Sequence, residues 1–135
     1  MMPCTAISAA ALTAAAETLR GLPAVTAAYL LGSAAADRLR PESDVDLAIL
    51  QARRSRLSVA ERLALAATLS EIFCREVDLG FLSTTNLVYA KEAITAGRLL
   101  VDRDPSATAE FAMHALAMYA ALQEERREVL RAYAA

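Results

Sequence analysis

The chain has 135 residues, enough for one compact domain spanning residues 1–135, and 56% of them are hydrophobic. Much of that fraction is alanine, and four glycines and four prolines leave long uninterrupted stretches, which favours a helix-rich fold over a disordered chain. The formal net charge of −2 excludes the basic surplus of a nonspecific duplex-binding protein, so no direct nucleic-acid contact is expected.

Residues 6–20 are alanine-rich and end at Gly21 and Pro23, which predicts a first helix. Val25 to Leu31 is a short apolar run, read as a buried strand, and Gly32-Ser33 follows directly. Residues 34–43, with Arg38, Arg40 and Pro41, read as a short helix or turn and then a loop. From Asp44 to Leu50 the pattern alternates: Asp44, Asp46, Ala48 and Leu50 share one face of a strand, and Val45, Leu47 and Ile49 the other.

Gln51 to Arg56 is a polar loop, followed by the capping box Ser58-x-x-Glu61. It opens a helix to about Cys74, with Ala60, Leu63, Ala67 and Cys74 expected on its apolar face. Glu76 to Leu82 is the next strand, with Val77, Leu79 and Phe81 on one side and Asp78 on the other. A helix from Asn86 to Ala96 closes at Gly97, and Leu99 to Asp102 is a short edge strand. Asp104 and Pro105 start the last helix, which carries Phe111, Ala115, Met118 and Leu122 along its apolar face towards Tyr133. The expected fold is α+β, a mixed sheet flanked by helices.

Cys4 and Cys74 have no CxxC companion, so neither a zinc site nor a disulfide framework is expected. No basic segment precedes the apolar start, and charges interrupt every apolar stretch before 18 residues. A cytoplasmic protein without a signal peptide or membrane span is the expectation. His114 is read as a buried or partner-facing histidine rather than a ligand. Arg53, Arg54 and Arg56 are read as a solvated loop, Gln123 to Arg127 as a solvated face, and Met113, Met118 and Tyr119 as core or interface.

The chemistry lies in Gly32-Ser33, Ser43-Asp44-Val45-Asp46-Leu47 and Val77-Asp78-Leu79. Two aspartates two apart on a strand project from one face, and their charges repel unless a cation lies between them. A hard, oxygen-seeking ion such as Mg²⁺ or Mn²⁺ suits them. If the strand of Asp78 is a neighbour, three carboxylates converge and fit a two-metal site, with ions ~3.5–4 Å apart clamping a phosphoryl displacement. Glycine at the end of the first strand lets the backbone approach a phosphate closely.

The segments GSAAADRLRPESDVDLAIL, EVDLGFL and AITAGRLLVDRDP resemble the minimal nucleotidyltransferases of the DNA polymerase β superfamily over about residues 25 to 105. The resemblance implies a polymerase β-type core using ATP. It implies that Gly32 and Ser33 hold the triphosphate, that Asp44 and Asp46 bind both metals, and that Asp78 binds the catalytic metal and helps activate the nucleophile. Two departures lie in the spacer: Asp37 stands where a glycine is common, and Ala36 where an arginine is.

The resemblance also implies a partner, a HEPN-domain toxin whose tyrosine receives AMP from the antitoxin nucleotidyltransferase. Two other functions fit such a bare core. One is a catalytically weak or inactive antitoxin that neutralises the toxin by covering it. The other is a subunit of a small-molecule nucleotidyltransferase of the aminoglycoside type.

Overall fold

The computed structural model describes residues 7–35 and 43–134. The elements are α1 (Ala9–Arg20), β1 (Val25–Leu30), the single turn α2 (Gly32–Ala35), β2 (Val45–Gln51), α3 (Val59–Phe73), β3 (Val77–Phe81), α4 (Leu87–Ala96), β4 (Arg98–Asp102) and α5 (Pro105–Ala134). The four strands form one mixed sheet in the order β3-β2-β1-β4. β1 pairs antiparallel with β2 and β4, and β2 pairs parallel with β3. The fold is α+β, as expected.

Strand alternation sorts the side chains into two cores. Val45, Leu47, Ile49 and Val77 pack with Leu19 of α1 and Leu65, Leu69 and Phe73 of α3. On the opposite face Ala27, Tyr29, Ala48 and Leu50 pack with Ala90 and Ala93 of α4 and Ala115 of α5. The sheet is therefore covered on both sides, as a mixed sheet between helical layers requires.

The starts of α3 and α5 are built as the sequence predicts. Ser58 accepts from Glu61 N at 3.1 Å, and Glu61 accepts from Ser58 N at 2.9 Å, completing the capping box of α3. Asp104 Oδ1 accepts from Ala107 N and caps α5. The first helix starts at Ala9 with Ser8 as its cap, later than residue 6. Beyond Ala35, the predicted turn and loop fall outside the described residues until residue 43.

The buried face of α3 corrects the expectation. Leu65, Leu69 and Phe73 point inward, whereas Ala60, Ala67 and Cys74 are exposed and Leu63 is 68% exposed. Leucines and alanines surround this helix on all sides, so apolar spacing alone selects no face. Packing selects the i, i+4, i+8 row with the larger side chains. On α5, Ala115 is buried and Phe111 packs against the second core, as predicted, while Met118 lies at the exposed rim. Among the described residues no helix is long and apolar enough to cross a membrane.

Candidate active site

Parallel pairing sets Asp46 directly opposite Asp78 in the register of β2 and β3. Burial of Val45 and Leu47 on one strand and Val77 on the other fixes the phase, so both aspartates face the opposite side, and both are exposed. Asp44 is also exposed and lies just before β2, which begins one residue later than the sequence suggested. Its segment is tied down from β3's side. Arg75 Nη1 donates to Ser43 O at 3.1 Å, and Val45 N donates to Glu76 O at 2.9 Å.

The three carboxylates share one electrostatic field. Partial burial pushes the Asp46 carboxyl above its ordinary range, and the charges of Asp78 and then Asp44 push it the same way. Such a cluster is relieved by a divalent cation. Among the described residues, however, no three acidic, histidine or cysteine side chains close into a preformed cage. Mg²⁺ does not need one, since it is usually held by one or two carboxylates, substrate phosphates and water. The donor set fits that mode of binding.

Gly32 sits beside this cluster. Its φ of +58° is a conformation that L side chains rarely adopt. A Cβ placed there would lie 4.0 Å from Asp46 Oδ2. Leu31 N donates to Asp46 O at 2.9 Å, anchoring the glycine turn to the carboxylate strand. Ser33 follows as the second residue of α2. Gly32 thus lies against Asp46, while Asp37 and Ala36 fall outside the described residues.

A cavity of about 500 Å³ opens beside the carboxylates, with Leu31, Asp46, Asp78, Gly80, Asn86 and Tyr89 in its wall. Four of these, Leu31, Gly80, Asn86 and Tyr89, escaped sequence reasoning. Gly80 lies two residues beyond Asp78 on the same strand face. A Cβ there would overlap the Tyr89 hydroxyl and approach Tyr89 Cζ to 2.6 Å. Burial raises the Tyr89 phenol above its ordinary pKa, and the Asp46 charge adds to the effect. The available signal was a glycine inside a strand, which marks a close approach but does not name what approaches. Asn86 Oδ1 accepts from Tyr89 N at 3.3 Å and caps α4.

The remaining singled-out residues that the structure describes stay outside the cavity. Arg53, Arg54 and Arg56 are exposed, and so is His114, which is therefore no core residue. Cys74 is free and exposed, and Cys4 lies outside the described residues. Gln123 Nε2 donates to Tyr119 Oη at 2.6 Å, and Glu124 and Arg127 form an exposed ion pair, the solvated face expected of that segment. Met113 is 72% exposed and belongs to no core.

Comparison with known proteins identifies the family and the fold. The family model described as polymerase beta, nucleotidyltransferase matches residues 14–106. No curated protein matches the sequence. Among solved structures, the chain is similar to one from a toxin–antitoxin complex with AMP-PNP, at 26% identity and a TM-score of 0.70, covering 93% of this chain and 97% of that one. It is similar to one from a mutant MntA–HpeT toxin–antitoxin complex at 26% identity and a TM-score of 0.74, covering 92% and 98%. A third similar chain comes from the complex of tri-AMPylated Shewanella oneidensis HEPN toxin with MNT antitoxin, at 27% identity and a TM-score of 0.68, covering 93% and 97%. The matched family spans well over half of the sequence and includes all three aspartates. The chain therefore belongs to the polymerase beta nucleotidyltransferase family, as one of its minimal members.

Proposed function

We propose that this protein is a cytoplasmic antitoxin that transfers AMP from ATP to a tyrosine of a HEPN toxin. The observation that carries the reading is the in-register pair Asp46 and Asp78 beside the positive-φ turn at Gly32. Carboxylates at that spacing suit phosphoryl transfer, and the turn offers backbone at close range to a phosphate. The likeness to chains from toxin–antitoxin complexes, one with AMP-PNP and one with an AMPylated toxin, supports the choice of nucleotide, partner and acceptor.

Asp44, Asp46 and Asp78 would hold Mg²⁺ or Mn²⁺, which when bound neutralises phosphate charge and favours displacement at phosphorus. Gly32 and Ser33 hold the triphosphate at the end of β1. Asp78 takes the proton of the incoming tyrosine hydroxyl. The tyrosine oxygen bonds to the α-phosphorus as the bond from that phosphorus to the bridging oxygen breaks, and pyrophosphate leaves. The added phosphate places bulk and negative charge on the toxin, which repels RNA.

Mass spectrometry of a HEPN toxin incubated with this protein, ATP and Mg²⁺ tests the reading. The expected result is a gain of one or more AMP units that vanishes with Asp46→Asn. Neutralisation without a mass change, equally strong with Asp46→Asn, would replace transfer by simple covering of the toxin.

A further inference from the structure

The wall of the cavity beside the carboxylates is of two chemical kinds: the charged Asp46 and Asp78, and the neutral Leu31, Asn86 and Tyr89. A ligand matching both is anionic and metal-associated at one end and flat, with hydrogen-bonding edges, at the other. A nucleoside triphosphate has that distribution, with its base remote from the phosphates.

Gly80 lies two residues beyond Asp78 on the same face, about 6.5 Å along the strand, a gap that a ribose bridges. The Tyr89 phenol end rests on Gly80, in space that any side chain at that position would take. Asn86 caps the helix that carries Tyr89 and brings its amide to the same wall.

We propose that Tyr89, seated on Gly80, is the platform on which the nucleobase packs, so that it sets nucleotide affinity without touching the reacting phosphates. This rests on the nucleotidyltransfer reading above. Aromatic side chains that stack on a base contribute a sequence-tolerant attraction, because every base has a π-face.

The test is calorimetric titration of the full-length protein with Mn²⁺-ATP and, separately, with Mn²⁺ and inorganic tripolyphosphate. Tyr89→Ala should weaken ATP roughly ten- to a hundredfold and leave tripolyphosphate unchanged. Gly80→Ala should act similarly, because its Cβ evicts the Tyr89 hydroxyl, the far end of a side chain that can swing away. Tyr89→Phe keeps the ring and should stay near wild type. The proposal is overturned if Tyr89→Ala leaves ATP affinity unchanged, even with transfer impaired, or if both ligands weaken together. If the wild-type protein binds neither ligand, the nucleotidyltransfer reading fails and the platform falls with it. If it binds both ligands equally and Tyr89→Ala changes neither, only the platform fails.

Discussion

Replacing Asp46 by Asn should make the metal-free protein more stable while abolishing its response to nucleotide. The change keeps volume and removes one charge from a cluster of three. Neighbouring strands lie about 4.8 Å apart, so carboxylates on register partners stand at roughly 5 Å. At that separation two like charges repel by ~0.8 kcal/mol in water and by ~3 kcal/mol at the effective dielectric of a protein surface. Asp46 and Asp78 are both exposed, so the lower figure governs, and relief of about 1 kcal/mol is expected. In a domain of this size that raises the Tm by about 3–5 °C. Because the folded-state pKa of Asp46 is raised, the charged carboxylate destabilises the fold. The penalty is full at neutral pH and fades as pH falls through the folded pKa, so the advantage of Asp46→Asn should shrink in acid. Differential scanning fluorimetry in EDTA and in Mg²⁺-ATP measures both effects. Wild type should gain ~2.7 kcal/mol at a hundredfold excess over Kd, the variant nothing, and the order of the two melting temperatures should invert. A variant that melts below wild type in EDTA, or that gains as much from Mg²⁺-ATP, would refute the reasoning.

Gly32→Ala should lower stability by about 1–2 kcal/mol, the left-handed penalty at φ +58° without a steric clash, and chemical denaturation measures it. Nucleotide affinity should fall as well, because the new Cβ stands beside Asp46. Leu65→Ala, in the buried row of α3, should cost ~2–5 kcal/mol, and Leu63→Ala, on the exposed side, no more than ~0.5 kcal/mol, in urea unfolding. Glu61 has its pKa lowered by the backbone and side-chain hydrogen bonds to Ser58. Its contribution to the cap of α3 is present above the unfolded pKa and lost as pH falls through the folded one. Hydrogen-exchange protection in the first turn of α3, taken relative to intrinsic rates, should therefore fall at acid pH in wild type and much less in Glu61→Gln.

The aspartates were legible because a strand has a period of two, and alternation alone puts Asp44, Asp46 and Ala48 on one side of Val45, Leu47 and Ile49. The convergence of Asp78 rested on a condition, that its strand be the neighbour, and the parallel pairing of β2 with β3 meets it. The buried face of α3 was illegible for a physical reason: apolar residues ring the helix, and only the sheet beneath it distinguishes Leu65 from Leu63. The contact between Gly80 and Tyr89 was illegible too. It joins a strand to a helix across a distance that no local spacing encodes. The N-terminal caps of α3 and α5 were read correctly because the capping residue and its partner lie within three positions in the chain.

The pairing of β2 with β3 makes the geometry of the carboxylates a by-product of greasy packing. A slip of one residue would turn Asp78 through the sheet and bury it among the side chains of α3, so partial misregister is penalised by the apolar layer before any ligand arrives. Precision at the charged end is then guarded by residues that never meet solvent. Substitutions at Leu47 or Val77 should degrade chemistry in proportion to how far they loosen the strand alignment, and an inactive variant altered only in oil-like positions would be an ordinary outcome for this architecture.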